Sequence, residues 1–340
     1  MLKKILSVIL AATMVLSLAA CGSTGDAGKG KIKVGMVTDT GGVNDGSFNQ
    51  SSWAGLQRAE KELGIEVNYL ESKNDSDYAA NIETFIDEEC DLIIGVGFML
   101  ADAISAAAAA NPDQKFAIID DSTNADKANV ACLMFEQAQA SYLVGYIAGL
   151  TTKSNNVGFV IGMANSVMNE FGYGYVAGVL DANPNAKVQM SNANSFADPG
   201  QGKSNATAMI TNGADIIFHA AGGTGLGVIE ACKEANIKAI GVDSDQNHLA
   251  PEHIITSALK RVDNASYDIA KAVLEGTYKS GVTVYDLSSS GVDYVASDLL
   301  SDDVKKAVDD VKAKILSGEI VVPKTQADFE AKHGDVYTLD

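Results

Sequence analysis

The residues best suited to chemistry lie in one polar loop near the start of the chain, residues 38–50, with the sequence TDTGGVNDGSFNQ. The loop holds two carboxylates, Asp39 and Asp45, beside side-chain amides, a hydroxyl and the aromatic ring of Phe48. It lacks the glycine spacings of dinucleotide-binding and P-loop motifs, so phosphate binding is not indicated. An aromatic ring with amides suits a flat, neutral ligand that forms hydrogen bonds. The same residues are equally consistent with an ordinary loop whose Asp or Asn caps the next helix.

A strand and a helix flank this loop and would position it. Residues 32–37 form an apolar run typical of a buried parallel strand, and residues 51–63 carry apolar side chains at helical spacing. In open α/β sheets, the loop after such a strand lies at the carboxyl edge, where ligands bind. Strands and helices continue to alternate along the chain, which is typical of the α/β class.

The strand pattern repeats once within the chain. The echoed segments are 33–37 with 156–162, 90–97 with 214–222, and 115–120 with 237–243. Self-similarity of this kind indicates duplicated units, so two similar α/β lobes are the simplest interpretation. The part of the chain after the repeat is expected to cross back and forth between the lobes.

Composition limits the classes of partner. The length of 340 residues suggests roughly two domains. The net charge of −19 argues against nucleic acid and anionic lipid as main partners, because both repel an acidic surface. Cys90, Cys132 and Cys232 lie in or beside apolar runs without CxxC spacing, which favours buried free thiols over one disulfide and a leftover thiol. This pattern argues against a structural zinc site.

The N-terminus has the features of an export signal. Residues 1–20 place two lysines before an apolar run that is too short for a comfortable membrane span. The LAAC sequence that ends at Cys21 resembles the bacterial lipobox, which implies cleavage before Cys21 and lipid attachment to it. A plain secretory signal is the alternative. Residues 21–31 are small and polar, as in a flexible tether.

Several short motifs together carry a family resemblance. In chain order they are Asp39, residues 44–50, Glu136-Gln137, Gly162-Met163, residues 241–246 and residues 257–260. This combination resembles the basic membrane protein family, whose members include purine nucleoside-binding lipoproteins of ABC transporters. The resemblance covers about residues 32–325. Residues 164–170 depart from the charged or proline-bearing loop of many members, which leaves the ligand preference of the second lobe open.

The resemblance implies an α/β, two-lobed type I periplasmic-binding-protein fold, in which each lobe is a parallel sheet flanked by helices. We expect residues 32–133 and 262–282 in the first lobe and residues 134–261 and 283–323 in the second, joined by three crossings. Residues 324–340 are expected to form a C-terminal tail of short strand and coil.

The resemblance also implies a ligand site between the lobes. Phe48 would stack on one face of a purine ring and Phe171 on the other, while Asn49, with Asn44 or Asp45, would bind the edge of the ring. The predicted ligand-binding residues are Asp39, Asn44, Phe48, Asn49, Asp120, Phe171, Gly222, Asp243 and Lys260.

Carboxylates at the strand ends suit the ribose part of such a ligand. Asp243 would accept bonds from the vicinal diol, with Lys260 as its charge partner. Each aspartate is also a candidate helix cap or turn residue. Gly222 would present a backbone N–H to the ligand or would serve a tight turn.

The expected function is capture of a purine nucleoside (guanosine, inosine or adenosine) and its delivery to an ABC permease. The chain would be a monomer without cofactor or metal, held to the extracytoplasmic face of the cell membrane by its lipid. A ribose-type sugar is the alternative ligand. An enzyme is not indicated, because HExxH, GxSxG and a usefully spaced Ser/His pair are all missing from the sequence. A transcription regulator would carry a helix-turn-helix where this chain has its signal segment.

Overall fold

A computed structural model describes residues 31–339 of the chain. The predicted signal peptide, the lipidation site Cys21 and nearly all of the tether lie outside the described residues. Within the described part, no helix is both long enough and apolar enough to cross a membrane.

Six strands form the first sheet. They are β1 (Lys33–Val37), β2 (Glu66–Leu70), β3 (Leu92–Val96), β4 (Lys115–Ile119), β5 (Val130–Phe135) and β11 (Gly281–Tyr285). Their order is β11-β5-β4-β3-β1-β2, and all neighbours pair in parallel. The helices of this lobe are α1 (Phe48–Leu63), α2 (Asp77–Asp87), α3 (Ala101–Ala110) and α8 (Val262–Leu274).

Six further strands form the second sheet. They are β6 (Asn156–Ile161), β7 (Lys187–Asn192), β8 (Ile216–Ala220), β9 (Lys238–Asp243), β10 (Ile254–Lys260) and β12 (Val292–Tyr294), in the order β12-β10-β9-β8-β6-β7. The helices here are α4 (Gln137–Thr151), α5 (Ser166–Ala182), α6 (Pro199–Thr211), α7 (Thr224–Glu234) and α9 (Asp302–Leu316). β12 runs antiparallel to β10. The sequence predicted a parallel sheet, and this one edge strand departs from that prediction. An edge strand has a single neighbour and can join in either direction.

The burial of the strands follows from their sequences. β3 (LIIGV) and β8 (IIFHA) are buried at every position, because helices cover both faces of each sheet. The two sheets follow the same order, and each first strand lies between the second and third strands of its own lobe. A topological switch point therefore occurs beside β1 in one lobe and beside β6 in the other, and ligands bind at such points.

The chain passes between the sheets three times: between β5 and α4, between β10 and α8, and between β11 and β12. Residues 283–285, predicted for the second lobe, pair with β5 in the first sheet. Residues 134–135, also predicted for the second lobe, are the last two residues of β5 in the first sheet. We therefore propose that the lobes change after residues 135, 261 and 285.

The C-terminal tail differs from the prediction of short strand and coil. Gln326–His333 forms a helix, α10, whose N-cap Thr325 accepts a hydrogen bond from the backbone N–H of Asp328. Phe329 is fully buried in this otherwise polar helix. Eight residues with one apolar anchor are too few to show a helical period in sequence.

The prediction for the cysteines of the folded part is confirmed. Cys90, Cys132 and Cys232 are free and buried. Burial raises the pKa of Cys90 and of Cys132 to about 11, which keeps both thiols protonated and unreactive at neutral pH.

Candidate functional site

A cavity of about 480 Å³ of empty space, partly open to solvent, lies where the carboxyl ends of the two sheets meet. Eight of the nine predicted ligand-binding residues line it: Asp39, Phe48, Asn49, Asp120, Phe171, Gly222, Asp243 and Lys260. Their contact with a ligand remains a prediction.

Asn44 is the predicted residue that the cavity does not include. Its side chain is exposed, whereas the neighbouring Asp45 is buried and lines the wall. The carboxylate of Asp45 accepts the backbone N–H groups of Ser47, Asn49 and Gln50 at 2.9, 2.8 and 3.1 Å. Asp45 therefore caps the start of α1, which is the alternative interpretation of this loop.

Asn49 is committed to its own loop. Its Nδ2 donates to Asp39 Oδ1 at 2.8 Å and to Asp45 Oδ2 at 3.0 Å. Its Oδ1 accepts the backbone N–H of Asp39 at 3.3 Å. Both amide hydrogens are used, so in this arrangement Asn49 has no donor left for a purine edge, contrary to the expectation. Its effect is to hold two carboxylates in fixed positions.

Asp120 and Asp243 are equivalent residues of the two lobes. They follow β4 and end β9, the echoed segments of the sequence, and each has a φ of 64°. This left-handed backbone is uncommon for residues with a side chain, and it recurs at functional sites. Both carboxylates are buried and line the cavity, one from each lobe.

Lys260 pairs with Asp120 rather than with Asp243 as predicted. Its Nζ donates to Asp120 Oδ2 across the two lobes, and Asp243 Oδ2 instead accepts from the hydroxyl of Ser47 in the first loop. Lys260 is the last residue of β10, immediately before the chain crosses into the first lobe, so its ammonium reaches the end of β4. The other oxygen of the carboxylate, Asp120 Oδ1, is buried without a hydrogen-bond partner.

Aromatic rings surround this ammonium. The Nζ of Lys260 lies 5.1 Å from the ring centroids of Phe48 and Phe135, and 5.3 Å from that of Phe171. These distances allow cation–π attraction, which favours a desolvated charge. Phe48 and Phe171 thus face the same group from the two lobes.

Burial controls the protonation of the carboxylates in the cavity. It raises the pKa of Asp39 to about 6, although the hydrogen bond from Asn49 opposes the shift. It raises the pKa of Asp243 to about 7, although the charge of Lys260 lowers it in part. The pKa of Asp45 is raised for the same reason. Near neutral pH the cavity is therefore poised to gain or lose protons.

The sequence prediction missed several residues of the site. Phe98 and Phe196 contact each other across the lobes with ring centroids 6.2 Å apart, and both line the cavity. Both follow the carboxyl ends of parallel strands, β3 and β7, so the rule that found Asp39 would also have selected them. Gln246 is fully buried, and its Nε2 donates to the carbonyl oxygen of Gly46 in the other lobe at 2.9 Å. Nothing in the sequence indicates that contact.

Gly222 fits both interpretations offered for it. Its backbone lines the cavity, and its φ of 53° is the left-handed conformation of a tight turn before α7. The turn and the approach of backbone to the cavity thus occur at one residue.

Comparisons with known proteins agree with this architecture. The family model for Bmp, described as ABC transporter substrate-binding protein PnrA-like, matches residues 32–326. The chain is 41% identical to a CD4+ T-cell-stimulating antigen of Listeria innocua, over 94% of this chain and 97% of that protein. It is 37% identical to the ABC transporter nucleoside-binding protein BmpA of Lactococcus lactis, over 95% and 99%.

A solved structure extends the similarity to three dimensions. An ABC transporter solute-binding protein from Aeropyrum pernix has a TM-score of 0.81 at 28% identity, covering 88% of this chain and 96% of that one. The predicted α/β fold with two helix-flanked sheets is confirmed.

Proposed function

The chain belongs to the Bmp family of PnrA-like ABC transporter substrate-binding proteins, and on that basis we propose that it captures a purine nucleoside between its lobes and delivers it to an ABC permease. The family's role is binding rather than catalysis, so the chain is not an enzyme. Substrate-binding proteins of ABC transporters act outside the cytoplasm, and this chain shares that location.

The polar lining of the cavity supports a ligand that is rich in hydrogen-bond donors. Carboxylates only accept hydrogen bonds when ionised, and four of them line the cavity against one ammonium, that of Lys260, which donates one of its three N–H groups to Asp120. The buried, unpartnered Oδ1 of Asp120 beside aromatic rings is the observation that carries the proposal. The diol of a ribose supplies hydroxyl donors, and a purine supplies N–H donors at its edge.

The aromatic lining supports a flat group at the other end of the ligand. Phe48 from the first lobe faces Phe171 and Phe196 from the second across one cavity. Base–aromatic stacking contributes roughly 1–3 kcal/mol per base and tolerates different bases. A free ribose would leave these rings without a partner, so the sugar alternative makes poorer use of the site.

Titration calorimetry tests the proposal directly. Inosine, guanosine and adenosine should bind much more tightly than hypoxanthine or ribose, because each fragment fills one end of the cavity only. Uridine, with its smaller ring, should lie between. Ribose binding as tightly as inosine would replace the nucleoside with a sugar ligand. A complete lack of binding by all six compounds would reject both ligand classes.

We further propose that Cys21 carries a lipid anchor, on the basis of the LAAC sequence that it ends. Two or more acyl chains hold a protein stably to a bilayer. Cys21→Ala should therefore shift the protein from the membrane fraction to the soluble fraction, while inosine affinity of the folded part stays unchanged. A Ser23→Ala variant is the matched control and should stay membrane-bound. Equal membrane retention of both variants would contradict the anchor.

A further inference from the structure

The last part of the chain lies along α5, the helix that carries cavity residues Met168 and Phe171. We call residues 324–339 the C-terminal strap. Its helix α10 inserts the fully buried Phe329 beside Tyr173 of α5, with ring centroids 5.8 Å apart. Nearly all of the strap follows the family match, which ends at residue 326.

One end of the strap contacts α5 next to the cavity. The hydroxyl of Tyr337 donates to Asn169 Oδ1 at 3.1 Å, and Tyr337 is only 3% exposed. Its ring lies so close to Gly172 that a Cβ there would stand 2.2 Å from the hydroxyl oxygen. Asn169 and Gly172 lie in the same helical turn of α5 as Phe171. The strap therefore packs on one side of this turn, and Phe171 lines the cavity on the other.

The other end of α5 is held by the same strap. The Nζ of Lys332 lies 2.6 Å from Asp181 Oδ2, near the last residue of the helix. The hydroxyl of Tyr142, from α4, donates to the same carboxylate oxygen at 2.5 Å. The strap therefore contacts α5 at both ends.

The strap also contacts the first crossing between the lobes. Lys324 forms an ion pair with Glu136 at 2.7 Å. The next residue, Gln137, donates through Nε2 to Val167 O at 3.1 Å and to Glu170 Oε2 at 2.9 Å. The first turns of α5 are thus held by the crossing on one side and by the strap on the other.

We propose that the C-terminal strap is a positioning element for the ligand site, which fixes the first turns of α5 so that Phe171 and Met168 stay against the cavity. When these contacts are lost, the first turns populate other conformations, and the apparent affinity falls with the population of the competent one. The choice of ligand in the test rests on the proposed function; the positioning itself does not.

The first experiment compares two tyrosines of the same lobe. Tyr337→Phe removes the bond to Asn169 and keeps the ring, and Tyr294→Phe removes a bond of the same hydroxyl group to the carboxylate of Asp309 on α9, away from α5. Inosine affinity is measured by calorimetry, and hydrogen exchange of amides 166–173 by mass spectrometry. Tyr337→Phe should weaken inosine binding roughly two- to tenfold, which corresponds to the loss of one hydrogen bond. It should also speed hydrogen exchange of amides 166–173. Tyr294→Phe should change neither.

A double-mutant cycle then separates positioning from simple loss of stability. Gly172→Ala should displace the Tyr337 ring and weaken binding, but in a Tyr337→Ala background the ring atoms nearest to the added methyl are gone, so the second change should have a much smaller effect. Additive effects, or unchanged affinity and exchange in Tyr337→Phe, would overturn the proposal. If the unaltered protein binds no nucleoside, the proposed function fails, whereas the exchange comparison still decides the role of the strap.

Discussion

At the scale of single residues, the cavity contains two kinds of polar group. Asp120 and Asp243 present oxygen atoms to the cavity from a rarely used backbone conformation. Asn49 uses both of its donors to hold Asp39 and Asp45. Because these hydrogen bonds already fix the side chains of the loop, less side-chain conformational freedom is lost when a ligand binds. The loop 38–50 is therefore organised before any ligand arrives.

Removal of the Phe48 ring tests the aromatic half of the site. Phe48→Ala should weaken inosine binding by roughly 1–3 kcal/mol, the worth of stacking on a base. Phe48→Trp keeps a ring and serves as the control, with a smaller loss. Both are measured by calorimetry. Phe171→Ala and Phe196→Ala, measured alongside, identify the second-lobe ring that covers the other face. An unchanged affinity in Phe48→Ala would mean that the base binds elsewhere.

Asp243 makes affinity depend on pH. Its pKa is raised to about 7, and its ionised form is the stronger acceptor for a ligand hydroxyl. Affinity for inosine should therefore fall by up to roughly tenfold between pH 8 and pH 6, as the carboxylate takes up a proton. Calorimetry at both pH values measures this, and Asp243→Asn should remove most of the dependence. A profile that is equally steep in Asp243→Asn would assign the effect to another group.

The raised pKa of Asp243 also affects the stability of the ligand-free protein. Here the dependence on pH is reversed, because stability falls as pH rises. A carboxyl group whose pKa is raised on folding stabilises the protein below its unfolded pKa, and that stability is lost as pH rises through the folded value. Asp243 and Glu170, both raised to about 7 by burial, should make the ligand-free protein less stable at pH 8 than at pH 6.5. Below that range His219, with its pKa lowered to about 4, opposes the trend. Denaturant unfolding at pH 6.5 and 8 measures the difference.

The sequence identified the residues that line the cavity better than it identified their hydrogen-bond partners. The carboxyl-edge rule applied to Asp39, Asp120 and Asp243, because position at a strand end is a local property. The partner of Lys260 is Asp120, at a separation of 140 residues, and that choice depends on how the two lobes meet. Strand patterns carry no such information.

At the scale of elements, α4 and α5 pack unusually closely. A Cβ at Gly145 of α4 would lie 2.2 Å from the carbonyl oxygen of Tyr175 in α5. The absence of a side chain there lets one backbone contact the other. This contact sets the position of α5, and with it that of Phe171.

Gly145→Ala should therefore destabilise the fold. Overpacking of a tight contact typically costs about 1–3 kcal/mol, and here the obstacle is backbone that cannot rotate away. Leu150→Ala, in the same helix at a side chain that is 40% exposed, is the control and should cost less than about 1 kcal/mol. The free energy of unfolding in urea measures both. Equal losses would show that the packing of α4 on α5 tolerates an added methyl group.

Helices and strands could be predicted from the sequence where their apolar side chains form a clear pattern. Strands such as β3 and helices such as α1 have the apolar patterns that define them. The helix α10 was missed because its stability comes from one buried ring, that of Phe329, rather than from an apolar stripe. The antiparallel direction of β12 was missed because a three-residue edge strand carries no sign of its direction.

At the scale of the whole molecule, the two lobes contact each other at and beside the cavity. The bonds of Lys260 to Asp120, Ser47 to Asp243 and Gln246 to Gly46 all join one lobe to the other. Under the proposed function, closure and ligand binding share Asp120, Asp243 and Lys260, which links the two equilibria.

Lys260→Met should open the cleft of the free protein. Without the ammonium, the buried Asp120 carboxylate faces Asp243 and Asp39 with no opposite charge. The radius of gyration from small-angle X-ray scattering at pH 8 should exceed that of the unaltered protein. The double variant Lys260→Met/Asp120→Asn removes both charges and should return towards the closed value. An unchanged radius in Lys260→Met would show that other contacts determine closure.

Because the chain crosses between the two sheets three times, the crossings also determine when each sheet can be completed during translation. β11 completes the first sheet, yet it is translated after the whole of β6 to β10. Synthesis of residues 136–280 takes roughly 7–30 s at 5–20 residues per second, and throughout that time β5 has an open edge that another chain could pair with. The second sheet likewise waits for β12. Neither sheet can be completed until most of the chain has been translated, so the topology delays the end of folding until late in synthesis.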